Sequence, residues 1–169
     1  MKYKEQALTL TAEQRKMLNA KSVYLAENGL EAWPDITPEE IYNVYTGKGG
    51  LHGLSRKDYA SYQEYSRAKK DAEDGQVFTP PEYCQLLLSS LGLTAEDRIA
   101  DLTCGMGHFI NFCPSVENFS GCEMDADAFK IARFLYPNAH PEHHDIRAYC
   151  PGVLFDWVVG SPPFKLSRA

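Results

Sequence analysis

Over the first 74 residues, apolar side chains return at helical intervals inside an otherwise polar text. Thr11-Ala12-Glu13-Gln14 ahead of Met17, Leu18 and Val23, and Thr37-Pro38-Glu39-Glu40 ahead of Ile41, Val44 and Tyr45, each set a hydroxyl three residues before a side chain that can reach back to it. That is the signature of a capped helix start. Gly29 and Trp33-Pro34-Asp35 break the period between them, and Gly47, Gly49, Gly50 and Gly53 predict a flexible loop before a third polar helix from Asp58 to Lys70. After Gly75 the period itself changes. The spacing predicts a helix over Pro81 to Leu91, a strand over Arg98 to Leu102, a short helix cut off by Pro114 and a strand over Phe119 to Met124. A helix over Asp125 to Tyr136, with Phe129, Ala132 and Leu135 on one face, and a strand over Phe155 to Val159 complete the series. Helices between short apolar strands make βαβ units, so the expected fold class is α/β with a parallel sheet over 75–169, preceded by a small helical region over 1–74. In such sheets ligands sit at the carboxyl ends of the strands.

The chain has 169 residues, 44% of them hydrophobic and 24% charged, enough to bury a core. It has no run of 18 apolar residues, and MKYKEQALTL carries no apolar stretch after its lysines. Neither a membrane span nor a secretory signal is expected, which points to the cytoplasm. Five cysteines without a C-x-x-C pair argue against a disulfide framework and a zinc ribbon, and favour buried free thiols. Residues 1–74 hold 11 basic and 12 acidic side chains and residues 75–169 hold 6 and 11, within a net charge of −6. The second half therefore lacks the Lys/Arg surface that grips phosphate backbones, and a nucleic-acid role would need help from elsewhere.

Candidate chemistry gathers at the predicted strand ends. Ile99-Ala100-Asp101-Leu102-Thr103-Cys104-Gly105-Met106-Gly107-His108-Phe109 ends a strand on an acid and runs into two glycines, which let backbone approach a ligand. One strand later, Gly121-Cys122-Glu123-Met124-Asp125 places a carboxylate where it could accept bonds from both hydroxyls of a ribose. A plain tight turn with an exposed Glu123 is the competing reading. Ile110 stands where a dinucleotide fingerprint needs its third glycine, which disfavours a nicotinamide cofactor. S-adenosylmethionine needs no pyrophosphate cradle, and its cationic amino group suits Asp101. The last predicted strand runs into Gly160-Ser161-Pro162-Pro163-Phe164, where two prolines fix an extended backbone beside a hydroxyl, a free carbonyl and an aromatic face. Such a segment could hold a planar amine.

The order Gly75-Gln76-Val77-Phe78-Thr79-Pro80-Pro81, then Asp101 to Phe109, then Glu123, then Ser161-Pro162-Pro163-Phe164 resembles that of the amino-methylating DNA methyltransferases. The resemblance implies a Rossmann-like sheet that binds S-adenosylmethionine. It implies that Phe78, Thr79 and Pro80, with Asp101, Thr103, Cys104, Gly105, Gly107 and Phe109, hold the methionine end. Glu123 and Met124 would lie at the ribose, and Asp145, in His143-His144-Asp145-Ile146, near the adenine. The implied chemistry flips the target base from the duplex, stacks it on Phe164 and directs its exocyclic amine with Ser161 and the Pro162 carbonyl beside Pro163. It requires no metal.

The short stretch between the glycine loop and Ser161 leaves no room for a target-recognition domain, as in the N6-adenine group with this motif order, whereas Ser161 is commoner in N4-cytosine enzymes. Adenine is favoured because order reflects whole-domain architecture. RNA or protein-glutamine methylation and a non-catalytic binding module are the alternatives. The family sheet has seven strands, and the chain stops five residues after Phe164 having supplied about four. A fragment of a longer enzyme, with DNA bound through a later recognition region or another subunit, and a truncated relative both fit. Tyr45-Thr46-Gly47-Lys48-Gly49-Gly50-Leu51 resembles a motif ahead of the methylase domain in large phage and plasmid methylase-helicase proteins, and a restriction-modification setting is equally consistent.

Other residues carry plainer expectations. His140, His143 and His144 read as exposed loop and strand-edge residues rather than metal ligands, since adjacent strand residues point to opposite faces. Cys104 reads as packing rather than as a nucleophile. Arg56-Lys57 and Lys69-Lys70 with Tyr59, Tyr62 and Tyr65 read as a solvated face over a tyrosine core, with DNA contact the alternative.

Overall fold

The computed structural model describes residues 1–33, 36–49 and 54–163. Pro34, Asp35, Gly50, Gly53 and Phe164 lie outside them. Both anticipated capping boxes form: Thr11 starts α1 (Ala12–Asn28) with Gln14 reaching back, and Thr37 starts α2 (Pro38–Val44) with Glu40 doing the same. Gly29 closes α1, its N–H donating to the Leu25 carbonyl at 2.8 Å. The third polar helix, α3 (Tyr62–Glu73), starts later than Asp58, because a third capping box between Ser61 and Glu64 sets its first turn. It buries no residue, and Tyr62 is 69% exposed. Its tyrosines therefore form no core; Tyr65 instead packs its ring against Tyr59 and Tyr62 on the surface.

Among the described residues, four parallel strands form one sheet in the order β3-β2-β1-β4: β1 (Ile99–Asp101), β2 (Phe119–Glu123), β3 (His140–His143) and β4 (Trp157–Val159). This is the partial Rossmann-like α/β fold expected from the sequence, and its order reverses between β1 and β4. Helix α4 (Pro81–Ser90) precedes β1. The β1–β2 connection holds only a three-residue 3-10 turn, Ile110–Phe112, because Cys113 is already extended ahead of Pro114. Helix α5 (Ala126–Leu135) joins β2 to β3, with Asp125 accepting from the N–H groups of Asp127 and Ala128 at its start. Its buried stripe is Ala128, Ile131, Ala132 and Leu135. Ala132 and Leu135 lie on the predicted face, whereas Phe129 lies beside the stripe, stacked on the His143 ring at 5.3 Å. The three histidines of the β3 region are exposed. Four cysteines are buried free thiols, and Cys150 is exposed.

The helical region and the sheet share one core, in which Tyr3, Leu25, Ile41, Tyr42 and Tyr45 join Ile99, Phe119, Ile131 and Tyr136. The seam is polar at one place. Asn111, 1% exposed, accepts the N–H of Lys2 and of Tyr3 through Oδ1 at 3.0 and 2.7 Å. Its amide donates to the Tyr3 carbonyl at 2.9 Å and to the Tyr42 hydroxyl at 3.2 Å. Tyr3 Oη and Lys2 Nζ then donate to the Leu135 carbonyl at 2.8 and 2.6 Å, filling an acceptor that the end of α5 leaves free. Every one of these groups is costly to bury unpaired. Replacing Asn111 with alanine should therefore lower unfolding free energy in urea by about 2–4 kcal/mol. A loss below about 0.5 kcal/mol would show that the N-terminal strap does not depend on it.

Candidate functional site

The site starts from the end of β1. Ile99, Ala100 and Asp101 are all buried, so the strand that carries the acid cannot expose it by turning over. Asp101 is 1% exposed, and its Oδ1 accepts the Thr103 N–H at 2.9 Å and the Thr103 hydroxyl at 3.4 Å. Burial raises its pKa from 3.8 to about 7; the Thr103 bonds oppose that rise, and the charge of Glu123 adds to it. Gly160, at the end of the neighbouring β4, lies so close that a Cβ there would stand 2.5 Å from Asp101 Oδ1. Any side chain at 160 would displace the acid or the strand end. The order reversal of the sheet thus brings Asp101 against the Gly160-Ser161 corner.

Above this corner the glycine loop is covered by the segment that enters α4. Phe78 packs on Gly105, where an added Cβ would meet its Cδ1 at 2.9 Å, and on Gly47, where one would meet its Cζ at 2.8 Å. The two glycines grip one ring. Gln76 and Asn19 hold Gly47 and its neighbours: Gln76 Oε1 accepts from Lys48 N–H at 2.6 Å, and the Asn19 amide pairs with the Thr46 N–H and the Gly47 carbonyl. Lys48 lies between Asp74 and Asp125 at 3.3 and 3.6 Å. Beneath Phe78, Val77, Phe78, Thr79, Asp101, Thr103, Cys104, Gly105, Met106, His108, Phe109 and Ser161 line a cleft of about 30 Å³. Gly47 and Lys48 also line a larger, open cavity of about 450 Å³ between α1 and the start of α5, to which no residue singled out in the sequence as a site candidate contributes.

Of the residues chosen from the sequence, Phe78, Thr79, Asp101, Thr103, Cys104, Gly105, Phe109 and Ser161 meet in the narrow cleft. Pro80 stands at the start of α4 as its cap. The Cys104 side chain turns away to pack on Gly121, and burial pushes its thiol well up. Gly107 faces the core, where a Cβ would meet the Tyr136 ring at 2.8 Å. Glu123 reaches the loop from β2: Oε2 accepts the Gly105 N–H and Oε1 the Asp125 N–H, each at 2.7 Å. Burial raises its pKa, and those two N–H groups restrain the rise. Met124 is 60% exposed beside it. Asp145, past β3, pairs with Arg147, whose Nε lies 3.0 Å from both carboxylate oxygens and holds the acid down at about 2. It does not line the cleft. Pro162 and Pro163 are exposed after Ser161, and Phe164 lies outside the described residues. Sequence reasoning missed His108 and Gly160, whose roles arise only when the Thr79 carbonyl and Asp101 are brought to them.

No protein-family model matches the chain. The chain is similar to the Type II methyltransferase M.CvrRI of Paramecium bursaria Chlorella virus XZ-6E, 33% identical over 101 residues, which cover 57% of this chain and 26% of that protein. It therefore spans about a quarter of that relative's length. The resemblance to DNA methyltransferases drawn from the motif order agrees with this relative. Among solved structures, a TehB-like SAM-dependent methyltransferase from Corynebacterium glutamicum overlaps with a TM-score of 0.41 at 15% identity, over 59% of this chain and 54% of that one. A chain from Vibrio vulnificus YJ016 described as the modification subunit of a type I restriction enzyme overlaps with a TM-score of 0.42 at 19% identity, over 75% and 31%. Overlaps of this extent add nothing to what the sheet order already establishes.

The raised pKa of Asp101 has a measurable consequence. Between about pH 4 and 7 the folded chain keeps a proton on Asp101 that the unfolded chain has released, so stability falls as pH rises through that window and levels off above it. Urea unfolding of the parent and of Asp101→Asn should diverge by about 2–4 kcal/mol between pH 4 and pH 8, with the asparagine variant lacking this loss. Parallel stability curves would show that Asp101 titrates normally.

Proposed function

We propose that this chain carries the cofactor-binding core of a methyltransferase that uses S-adenosylmethionine to methylate the exocyclic amine of a DNA base, adenine N6 in the first instance. The observation that carries the reading is the convergence at one sheet reversal of Phe78-Thr79, the segment from Asp101 through the glycine loop, and Ser161, three pieces far apart in sequence. The donor set fits the amino-acid end of the cofactor. Asp101 is a deep carboxylate whose described partners are Thr103 groups, and a ligand ammonium would supply the missing countercharge. The 30 Å³ cleft suits an ammonium and not a nucleoside, so the nucleoside belongs outside it, toward Glu123 and Met124. When bound, S-adenosylmethionine supplies the electrophilic methyl group.

On this reading Glu123 has two tasks, fixing the Gly105 peptide and accepting from the ribose hydroxyls. Ser161 and the Pro162 carbonyl accept hydrogen bonds from the target amine and aim its nitrogen. Phe164 is assigned the stacking face by its place in the motif alone. The partner is DNA, contacted through a further recognition region or another subunit, which the acidic second half of the chain makes necessary. Ser161 supports N4-cytosine as the second reading of the same site.

Calorimetry with S-adenosylmethionine should find binding that tightens by up to about tenfold from pH 6 to pH 8 as Asp101 ionises. Glu123→Ala should weaken it by about 1.5–3 kcal/mol. Parent-like affinity in that variant would remove Glu123 from the ribose. The base is decided separately, by digesting DNA methylated by the complete protein to nucleosides and separating them by mass. N6-methyladenine supports the first reading, and N4-methylcytosine replaces it with the second.

A further inference from the structure

His108 lies in the glycine loop, and its ring makes edge-on contacts with Tyr42 at 5.4 Å and Phe78 at 6.0 Å. Its Nδ1 is 2.7 Å from the Thr79 carbonyl oxygen. A carbonyl can only accept, so Nδ1 carries the hydrogen and donates it. Burial lowers the ring's pKa, which keeps it neutral near pH 7 in the Nδ1–H form. Beyond the packing of the Phe78 ring, the covering segment has few other hydrogen bonds by which to hold on. Pro80 and Pro81 have no N–H to give, and the carbonyl of Pro80 is taken by the N–H groups of Tyr83 and Cys84 inside α4. Among the described residues, the bond from His108 to Thr79 is the one hydrogen bond between residues 77–81 and the glycine loop.

We infer that His108 is a positioning residue that fixes the height of the Phe78-Thr79 strap above the glycine loop, and so shapes the cleft before any ligand arrives. The inference rests on the cofactor reading only for what the cleft admits. Through Tyr42, whose hydroxyl accepts from Asn111, the same ring ties the strap to the helical region and to the N-terminal seam. His108→Asn places an amide donor near the position of Nδ1, whereas His108→Leu keeps the bulk and removes the donor.

In the full 169-residue chain, nitrogen NMR should show His108 as the Nδ1–H tautomer. Amide exchange at Gln76, Tyr83 and Cys84, the N–H groups flanking the strap that donate to the Glu73 and Pro80 carbonyls, should quicken by about tenfold or more in His108→Leu and return toward the parent rate in His108→Asn. S-adenosylmethionine affinity should follow the same order, with a loss of about tenfold in the leucine variant. Parent-like exchange in His108→Leu, an asparagine variant no better than the leucine one, or an Nε2–H tautomer would each overturn the inference. If His108→Leu fails to fold, the tautomer and the exchange rates of His108→Asn still decide. A parent that binds no S-adenosylmethionine would sink the cofactor reading and leave the exchange experiment to judge His108 alone.

Discussion

The rest of the site is arranged around a carboxylate buried at the end of β1. Asp101 has its backbone in the middle of a parallel sheet and its oxygens at a corner where solvent does not reach. Burial of that kind must be offset by hydrogen bonds, by a countercharge or by a proton. Thr103 supplies the first in part, and the raised pKa is the remainder. The position also constrains its neighbours. Gly160 must lack a side chain, and β4 must end where it does for Ser161 to stand at the mouth of the cleft. A second acid, Glu123, approaches from β2 and raises the cost of ionising Asp101, yet its own oxygens are occupied by the backbone of the loop. A cation at this corner would favour the ionised form of Asp101, which burial and the charge of Glu123 otherwise hold back.

The helical region contributes to the site. Gly47 forms half of the grip on Phe78, and Asn19 of α1 holds the peptide on either side of it. Tyr42 of α2 touches His108 and also takes part in the Asn111 network that anchors Lys2 and Tyr3. Contacts at the N-terminus and at the cleft thus run through one packed set of rings. Motion of α1 or α2 would be felt at Phe78 because two glycines leave that ring no slack on either side. Helix α3 stands apart from this continuity, with no buried residue and its tyrosines paired with one another on the surface.

The local grammar of the chain was legible as written. Two capping boxes, the glycine that closes α1, the proline that cuts short the β1–β2 connection and the three apolar strands β1, β2 and β4 all follow from interactions spanning a few residues, whereas the polar β3 does not. Short-range chemistry of this kind does not depend on where the rest of the chain goes. The place of Phe129 on α5 shows where it stops. Phe129 is as apolar as Ile131, yet Ile131 is buried in the core while Phe129 stacks on the His143 ring, a contact with a distant strand. The late start of α3 belongs to the local grammar too, since the Ser61 to Glu64 capping box sets it.

By itself the sequence determined the α/β class, the order of the motifs and the residue types that could meet a cationic, ribose-bearing ligand, because these depend on periodicity and on functional groups that travel with each residue. The tertiary structure alone decided which of those residues share a space. Asp101 and Ser161 meet because β4 pairs with β1 rather than following β3, and Asp145 is left out of the cleft because β3 lies at the opposite edge. Gly105 proved to admit the Phe78 ring, Gly107 the Tyr136 ring, and Cys104 to fill the space over Gly121, three different uses of one short loop. Those assignments are contacts between positions far apart in the chain, set by strand order and by the volume left between packed rings, and no local pattern encodes them.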